Sequence, residues 1–576
     1  MIASTTLLAR RLGWKKVERS GRPARTRTAL LSTFTVDPIA PYLGMAMEEA
    51  NLAPTFFVAP FGQVTSEFLD PTSATARFRP DLVVAWPSLE DLWAGGALPL
   101  DGALDGYVEP LVEMAAVAAA AAAKWSAMLV FVLPALPMVR PLGVGDATNP
   151  LGVAAAAYAA REAARVALTI HTGVLVADAE DVVRGLATGA TFDPRRWYSA
   201  RIPWSEVAFS ILAEQVARLV SLARFGARKV VVVDADNTLW GGVVGEVGPE
   251  RVDILDNGPG EAYRGFQQYL IELRRAGLVL ALASKNNEPE VWRAFGRREM
   301  VLRQEHLSAW RVNWKPKAEN IDDMVAEFNL GLESVVFIDD SPMERDSVVS
   351  ALPGVRAVAF PEDPSDWIAM ITKDGFLDRL PPTTDDLTRA NSYGAERQRR
   401  VARSTLTHEQ YLDTLRLEVA MFMPAPDDLA RLAQLVAKTN QFTLHQPRHS
   451  EATLAAMIRD PSIAVRIVAA RDRFGDYGVV GAFVVVGRKL DTFVLSCRAM
   501  GRGVEVAMLT AAGKLAGGPI DVQVEVGARN APAREFFAIH RVVDGVTDGA
   551  ATDGRRISVL APSWPKHVSS FGGLTW

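Results

Sequence analysis

Four consecutive valines, Val230–Val233, run straight into Asp234-Ala235-Asp236-Asn237-Thr238-Leu239-Trp240. An unbroken β-branched run cannot alternate in polarity, so it predicts a short strand buried on both faces, as in a helix-covered parallel sheet. In α/β proteins the carboxyl ends of such strands are where ligands bind. Two aspartates one residue apart at that point can divide a reaction between them, one attacking an electrophile while the other handles the proton. Their oxygens also suit a hard divalent cation such as Mg²⁺. A lone Asp-x-Asp is often no more than a pair of strand-end caps, so the downstream strand ends carry the weight.

A second apolar run, 278–283, ends in Ser284-Lys285-Asn286-Asn287. Its hydroxyl, cation and two amides are donors suited to phosphate oxygens. Next, Asn313-Trp314-Lys315-Pro316-Lys317 offers lysines that can neutralise charge on a transferring phosphoryl group. A third run, 334–338, ends in Asp339-Asp340-Ser341-Pro342, with the proline placed to open a helix. Amphipathic segments at 259–276 and 317–330 supply the crossovers of βαβ units. Nucleophile, phosphate donors, lysine and metal carboxylates, in that order, resemble the haloacid-dehalogenase (HAD) superfamily. The resemblance implies that Asp234 is the nucleophile forming an aspartyl phosphate, Asp236 the general acid/base, and Thr238 a residue holding the loop against substrate. It implies phosphate contacts from Ser284, Lys285 and Asn286. It further implies Mg²⁺ held by Asp234, the backbone carbonyl of Asp236, Asp339 and Asp340. The active-site lysine is Lys317, with Lys315 as the alternative.

At roughly 100–200 residues per domain, 576 residues predict three or four domains. The boundaries expected are 1–220, 221–385 and 386–576. The chain is 49% hydrophobic and 22% charged with a net charge of −5, which leaves no electrostatic footprint for nucleic acid. One cysteine rules out an internal disulfide and fits a reducing cytoplasm. No apolar core precedes a cleavage site near residue 1, so no signal peptide is expected. The alanine-rich stretch 114–133 carries Lys124 and stops at Pro134, which predicts a buried helix and a strand (128–133) and no membrane span.

The first 220 residues read as a further doubly wound α/β unit. Strands are expected at 28–32, 55–58, 81–85, 128–133 and 174–177, with a helix at 37–51. Ser32 at a strand end is similar to the nucleophile position of SGNH esterases. Such a hydrolase needs a late histidine as base, and 193–206 contains none, while His171 reads as structural. An SGNH-like scaffold without hydrolytic activity is therefore expected.

After about residue 386 the pattern becomes antiparallel, with strands at 464–470, 479–487 and 491–495 and a Gly475–Gly478 turn. Ser496-Cys497-Arg498-Ala499-Met500-Gly501-Arg502-Gly503-Val504-Glu505 then leads into a helix. A glycine loop before a helix presents backbone N–H groups to phosphate. The loop resembles the pyrophosphate element of GNAT-like acyltransferases, with Arg498, Gly501, Arg502 and Gly503 as its pantetheine-binding residues. Asn530 and the segment after it are similar to a late helix of that α+β fold. Most free cysteines are small buried hydrophobes. Cys497 instead stands at a strand end beside two arginines and a helix start, each of which favours the thiolate.

Together these motifs resemble the FkbH-like family, a HAD branch of polyketide biosynthesis. The match runs from 234–246 through Ser284 to Asn287, Asn313-Trp314, Phe337 to Arg345, Lys438-Thr439-Asn440-Gln441-Phe442, Phe474 to Asp476, and 496–505. Leu31 to Asp37 is similar to the longer members. Ala235, Ser341 and Thr443 depart from the usual residues without removing a reactive group. The resemblance implies a bifunctional enzyme that dephosphorylates 1,3-bisphosphoglycerate and loads the glyceryl group, through catalytic Cys497, onto the phosphopantetheine arm of an acyl carrier protein. The rivals are a plain Mg²⁺-dependent HAD phosphomonoesterase, a carrier-docking protein without chemistry, and an acetyl-CoA-dependent acyltransferase.

Overall fold

The computed structural model describes residues 4–93, 105–137, 139–186, 188–255, 257–328, 330–382, 399, 402–403, 406–425, 428–439, 442–444, 449, 451–524, 530–543, 546–547 and 556–574. The chain divides into two compact units, residues 1–228 with 369–381, and residues 229–368 with 382–576. It is a mixed α/β protein with parallel sheets.

In the first unit, β1 (Thr26–Ser32), β2 (Pro54–Val58), β3 (Leu82–Trp86), β4 (Met128–Leu133) and β5 (Val174–Asp178) form a wholly parallel sheet. Its order is β2-β1-β3-β4-β5. Alternate strand residues serve opposite faces. Leu30, Val84, Val130 and Val132 pack with Leu43, Met47, Phe209 and Val216 on one side. Leu31, Val83, Ala85 and Phe131 pack with Leu111, Ala115, Ala118 and Ala160 on the other. Helix Asp105–Lys124 is long and apolar enough to cross a membrane, and here it supplies Leu111, Ala115 and Ala118 to that second core. The helix expected at 37–51 begins as a 3-10 turn, Asp37–Ile39, before Ala40–Glu49. Pro38 and Pro41 lack the N–H groups that an α-helix interior needs, and Asn51 ends the segment with φ of 57°.

Ser32 does not stand ready as a nucleophile. Its hydroxyl donates to the Trp86 carbonyl at 2.8 Å and accepts from the Phe34 N–H. His171 is exposed just after a helix end.

In the second unit, β6 (Val230–Val233), β7 (Val279–Ser284), β8 (Ala309–Val312), β9 (Val335–Ile338) and β10 (Arg356–Val358) form another parallel sheet, ordered β10-β9-β6-β7-β8. All four valines of β6 are fully buried at its centre, as their unbroken run requires. Successive neighbours of β6 lie on opposite sides, so the sheet's crevice opens at its carboxyl end.

A nine-stranded mixed sheet completes this unit: β11 (Leu417–Phe422), β12 (Ile463–Asp472), β13 (Gly475–Val486), β14 (Lys489–Leu495), β15 (Ile520–Gln523), β16 (Arg541–Val543), β17 (Val546–Thr547), β18 (Arg556–Val559) and β19 (Val568–Leu574). The hairpin between β12 and β13 turns at 473–474, earlier than the expected Gly475–Gly478 turn. Asp472 is the reason: its Oδ1 accepts from the N–H groups of Phe474 and Gly475 and closes the turn there. Burial alone would raise this carboxyl, but hydrogen bonds from Arg399 and Tyr477 hold it below its ordinary range.

Candidate active site

The site is assembled by strand register. Val233 pairs with Ile338, so the next residues, Asp234 and Asp339, leave the sheet side by side, with the Asp234 N–H on the Ile338 carbonyl at 2.9 Å. Lys317, the first residue of helix Lys317–Phe328, enters between them. Its Nζ donates to Asp339 Oδ2 at 2.6 Å. Asp234 Oδ1 lies 2.9 Å from the same ammonium and is ion-paired with it. Lys315 is exposed. Pro316 separates the two lysines, and only the helix start turns one of them inward.

Asp340 completes the cluster: one oxygen from each of Asp234, Asp339 and Asp340 lies within 4.8 Å of the other two. Burial pushes the Asp234 carboxyl up to about 7, with Lys317 opposing and Asp339 reinforcing the shift. Burial and Asp339 also raise Asp340. Burial works against the charge on Lys317, but Asp234 and Asp339 outweigh it and hold the ammonium above its ordinary pKa. Three carboxylates face one ammonium, so the cluster keeps an excess of negative charge. Hard oxygen donors in this number fit Mg²⁺, so Asp234, Asp339 and Asp340 are the residues that could hold it.

Asp236 is tightly oriented. Its Oδ1 accepts from Trp240 Nε1 at 2.9 Å and the Val244 N–H at 3.0 Å, and its Oδ2 accepts from Asn286 Nδ2 at 2.9 Å. Asn286 also donates to Ser284 Oγ at 3.0 Å, which ties the end of β7 to the Asp236 loop. Thr238 is fully buried with its hydroxyl unpartnered. Such a group loses hydration without compensation unless a ligand supplies it. Lys285 is directed elsewhere, to Glu344 Oε1 at 2.5 Å. The structure thus groups Asp234, Lys317, Asp339 and Asp340, links Asp236 with Ser284 and Asn286, and pairs Lys285 with Glu344.

Two supporting residues were not foreseen as such. Arg345 Nη1 donates to the carbonyls of Asp339 and Asp340 at 2.6 and 2.7 Å, fixing the backbone that carries both carboxylates. Asn237, at a left-handed φ of 50°, accepts from the Gly242 N–H and hydrogen-bonds Asp340. The only sequence signal was their presence inside the motifs at 234–246 and 337–345.

The glycine loop turns on left-handed backbone. Gly501 and Gly503 have φ of 69° and 91°, and a Cβ on Gly503 would lie 2.7 Å from His567 Nε2. Burial raises the Glu505 carboxyl, against hydrogen bonds from the backbone N–H groups of Glu505, Gly503 and Gly501. Arg502 is buried and donates to the Tyr477 hydroxyl. Arg498 is half-buried. Cys497 opens a 3-10 turn, Cys497–Ala499; its side chain lies outside what the structure describes, as do Asn440 and Gln441.

The chain is similar in fold to the N-terminal part of the protein BF1531 from Bacteroides fragilis, whose crystal structure contains a phosphatase domain complexed with Mg. The TM-score is 0.57 at 22% identity, covering 64% of this chain and 98% of that one. The likeness is one of fold. A putative UDP-N-acetylglucosamine 2-epimerase from Listeria monocytogenes, at 10% identity, covers 66% of this chain and 97% of its own with a TM-score of 0.15, too low to carry an argument. No family model matches the chain, and no curated protein matches it.

Proposed function

We propose that this chain is a Mg²⁺-dependent, HAD-type phosphatase of the FkbH-like family that also transfers a glyceryl group from 1,3-bisphosphoglycerate to an acyl carrier protein. The observation that carries the phosphoryl half is the cluster of Asp234, Asp339 and Asp340 around Lys317. The fold it shares with a Mg-bound phosphatase-containing structure supports the same half. Mg²⁺, held by Asp234, Asp339 and Asp340 with the Asp236 carbonyl, would supply positive charge to the phosphoryl oxygens. Asp234 attacks phosphorus and becomes an aspartyl phosphate as the bond to the leaving oxygen breaks. Asp236 gives that oxygen a proton, then takes one from the water that hydrolyses the intermediate. Lys317 neutralises charge on the group in transit, Thr238 and Ser284 supply neutral donors, and Asn286, whose amide donates to Asp236 and Ser284, holds those two in place.

The transfer half rests on the resemblance. Cys497 thiolate attacks the acyl-phosphate carbonyl, phosphate departs, and a 3-phosphoglyceryl thioester forms. After dephosphorylation the carrier's pantetheine thiol attacks that thioester and frees Cys497. The second reading is a phosphomonoesterase without acyl transfer, since the carboxylate cluster of Asp234, Asp339 and Asp340 needs neither Cys497 nor the glycine loop. Intact-mass analysis separates them: the enzyme is incubated with 1,3-bisphosphoglycerate generated in place, Mg²⁺ and holo carrier. A glyceryl adduct on the carrier, lost in Cys497→Ala while phosphate release from a simple monoester persists, supports the bifunctional reading. An unmodified carrier with wild-type enzyme leaves the phosphomonoesterase.

A further inference from the structure

The phosphoryl chemistry leaves one ion pair at its own doorstep without a task. Lys285 Nζ donates to Glu344 Oε1 at 2.5 Å, and neither side chain takes part in any step above. Topology decides where the pair lies. Lys285 follows Ser284, the last residue of β7, and Glu344 stands in the first turn of helix Pro342–Ala351, which opens just after β9, Asp339 and Asp340. β7 and β9 flank β6 on either side. A bond between residues that follow those two strands therefore spans the carboxyl end of β6, where Asp234 and Asp236 stand.

Both ends are anchored to the site. Asn286, next to Lys285, donates to Asp236 and Ser284. Arg345, next to Glu344, is fixed on the carbonyls of Asp339 and Asp340. Exposure rises outward: the side chains of Asp234, Lys317 and Asp339 are 8%, 5% and 0% exposed, those of Lys285 and Glu344 36% and 20%. A phosphomonoester with its phosphoryl group among the first three has the rest of its length on the open side, beside this pair. Met343, the residue before Glu344, is 77% exposed and adds apolar surface at the same helix start.

As paired, the ammonium and carboxylate cancel. An uncharged remainder can lie beside them and leave the bond intact. An anionic remainder meets the Glu344 charge, and reaches Lys285 only by breaking that bond and giving up its own water. We propose that Lys285 and Glu344 are specificity residues, which make the phosphoryl site prefer a phosphomonoester whose acyl carbon is an ester or thioester over the free acid. The inference rests on the phosphatase reading and adds the form of substrate that the site takes: the carboxyl group is esterified before phosphate is removed.

The test measures phosphate release by the full chain with Mg²⁺ from 3-phosphoglycerate and from its methyl ester, which differ by one charge. For the wild type, kcat/KM for the ester should exceed that for the acid by about ten-fold, through KM. Glu344→Gln frees the ammonium and should lower KM for the acid by about five-fold or more, with the ester nearly unchanged. Lys285→Met leaves the Glu344 charge unpaired and should raise KM for the acid by roughly 3- to 10-fold. Lys315→Met, the same loss of charge at an exposed lysine on the loop after β8, should leave the ester-to-acid ratio unaltered. Equal wild-type kcat/KM for ester and acid would overturn the inference alone. So would shifts of the same sign in Glu344→Gln and Lys285→Met, as a merely structural bridge would give, or an equal effect of Lys315→Met. No phosphate release from either compound would sink the phosphatase reading and this inference with it.

Discussion

Replacing Asp234 by asparagine lowers the rate of phosphate release by on the order of 10⁴-fold or more, the scale seen when a nucleophile is removed from a preorganised site. An amide keeps the shape but cannot attack phosphorus, so assays with excess substrate and Mg²⁺ should not rescue it. Stability should move the other way. Asp234 is 6% exposed and shares its pocket with Asp339 and Asp340. A neutral isostere therefore removes one of three crowded negative charges, and the metal-free variant should melt no lower than the wild type. Asp234→Asn that melts well below wild type would assign the residue a structural role and sink the catalytic one. Progress curves and thermal unfolding of the same sample decide the matter.

The second large effect is at Lys317. Its side chain is 5% exposed and its ammonium is the positive charge between Asp234 and Asp339. Lys317→Met preserves most of the apolar stem while leaving two buried carboxylates uncompensated. Breaking a buried pair in this way costs about 3 kcal/mol, so the metal-free variant should melt several degrees lower. Added Mg²⁺ should restore more of the melting temperature in the variant than in the wild type, because no ammonium then competes for the carboxylates. Phosphate release at saturating Mg²⁺ should still fall by roughly 10²- to 10³-fold, the usual cost of losing one preorganised electrostatic contact. Equal Mg²⁺ responses in variant and wild type would contradict a shared pocket.

Some of this was legible in the sequence for a simple reason. β6, β7 and β9 are central, buried on both faces, and therefore written as unbroken apolar runs; β4 falls on the expected 128–133. β8 and β10 were not foreseen. They are the sheet's edge strands, three or four residues long, and the exposure of Arg356 and part-exposure of Trp310 and Arg311 break any apolar run. The choice of Lys317 over Lys315 needed the direction of a helix start, which composition does not encode. The early turn at 473–474 came from a side chain, Asp472, bonding to backbone ahead of it, a local effect stronger than the downstream glycine. The loop at 496–505 was recognisable as a cradle of backbone donors. That Glu505, the loop's own next acid, is buried beside those donors depends on a side-chain direction no spacing rule predicts.

Whether Asp234, Asp339 and Asp340 make one divalent-cation site is decided by calorimetric titration of Mg²⁺ into the full chain. A single saturable site per chain is expected, weakened at least ten-fold by Asp339→Asn. No saturable binding by the wild type, or binding that Asp339→Asn leaves unaltered, would contradict it.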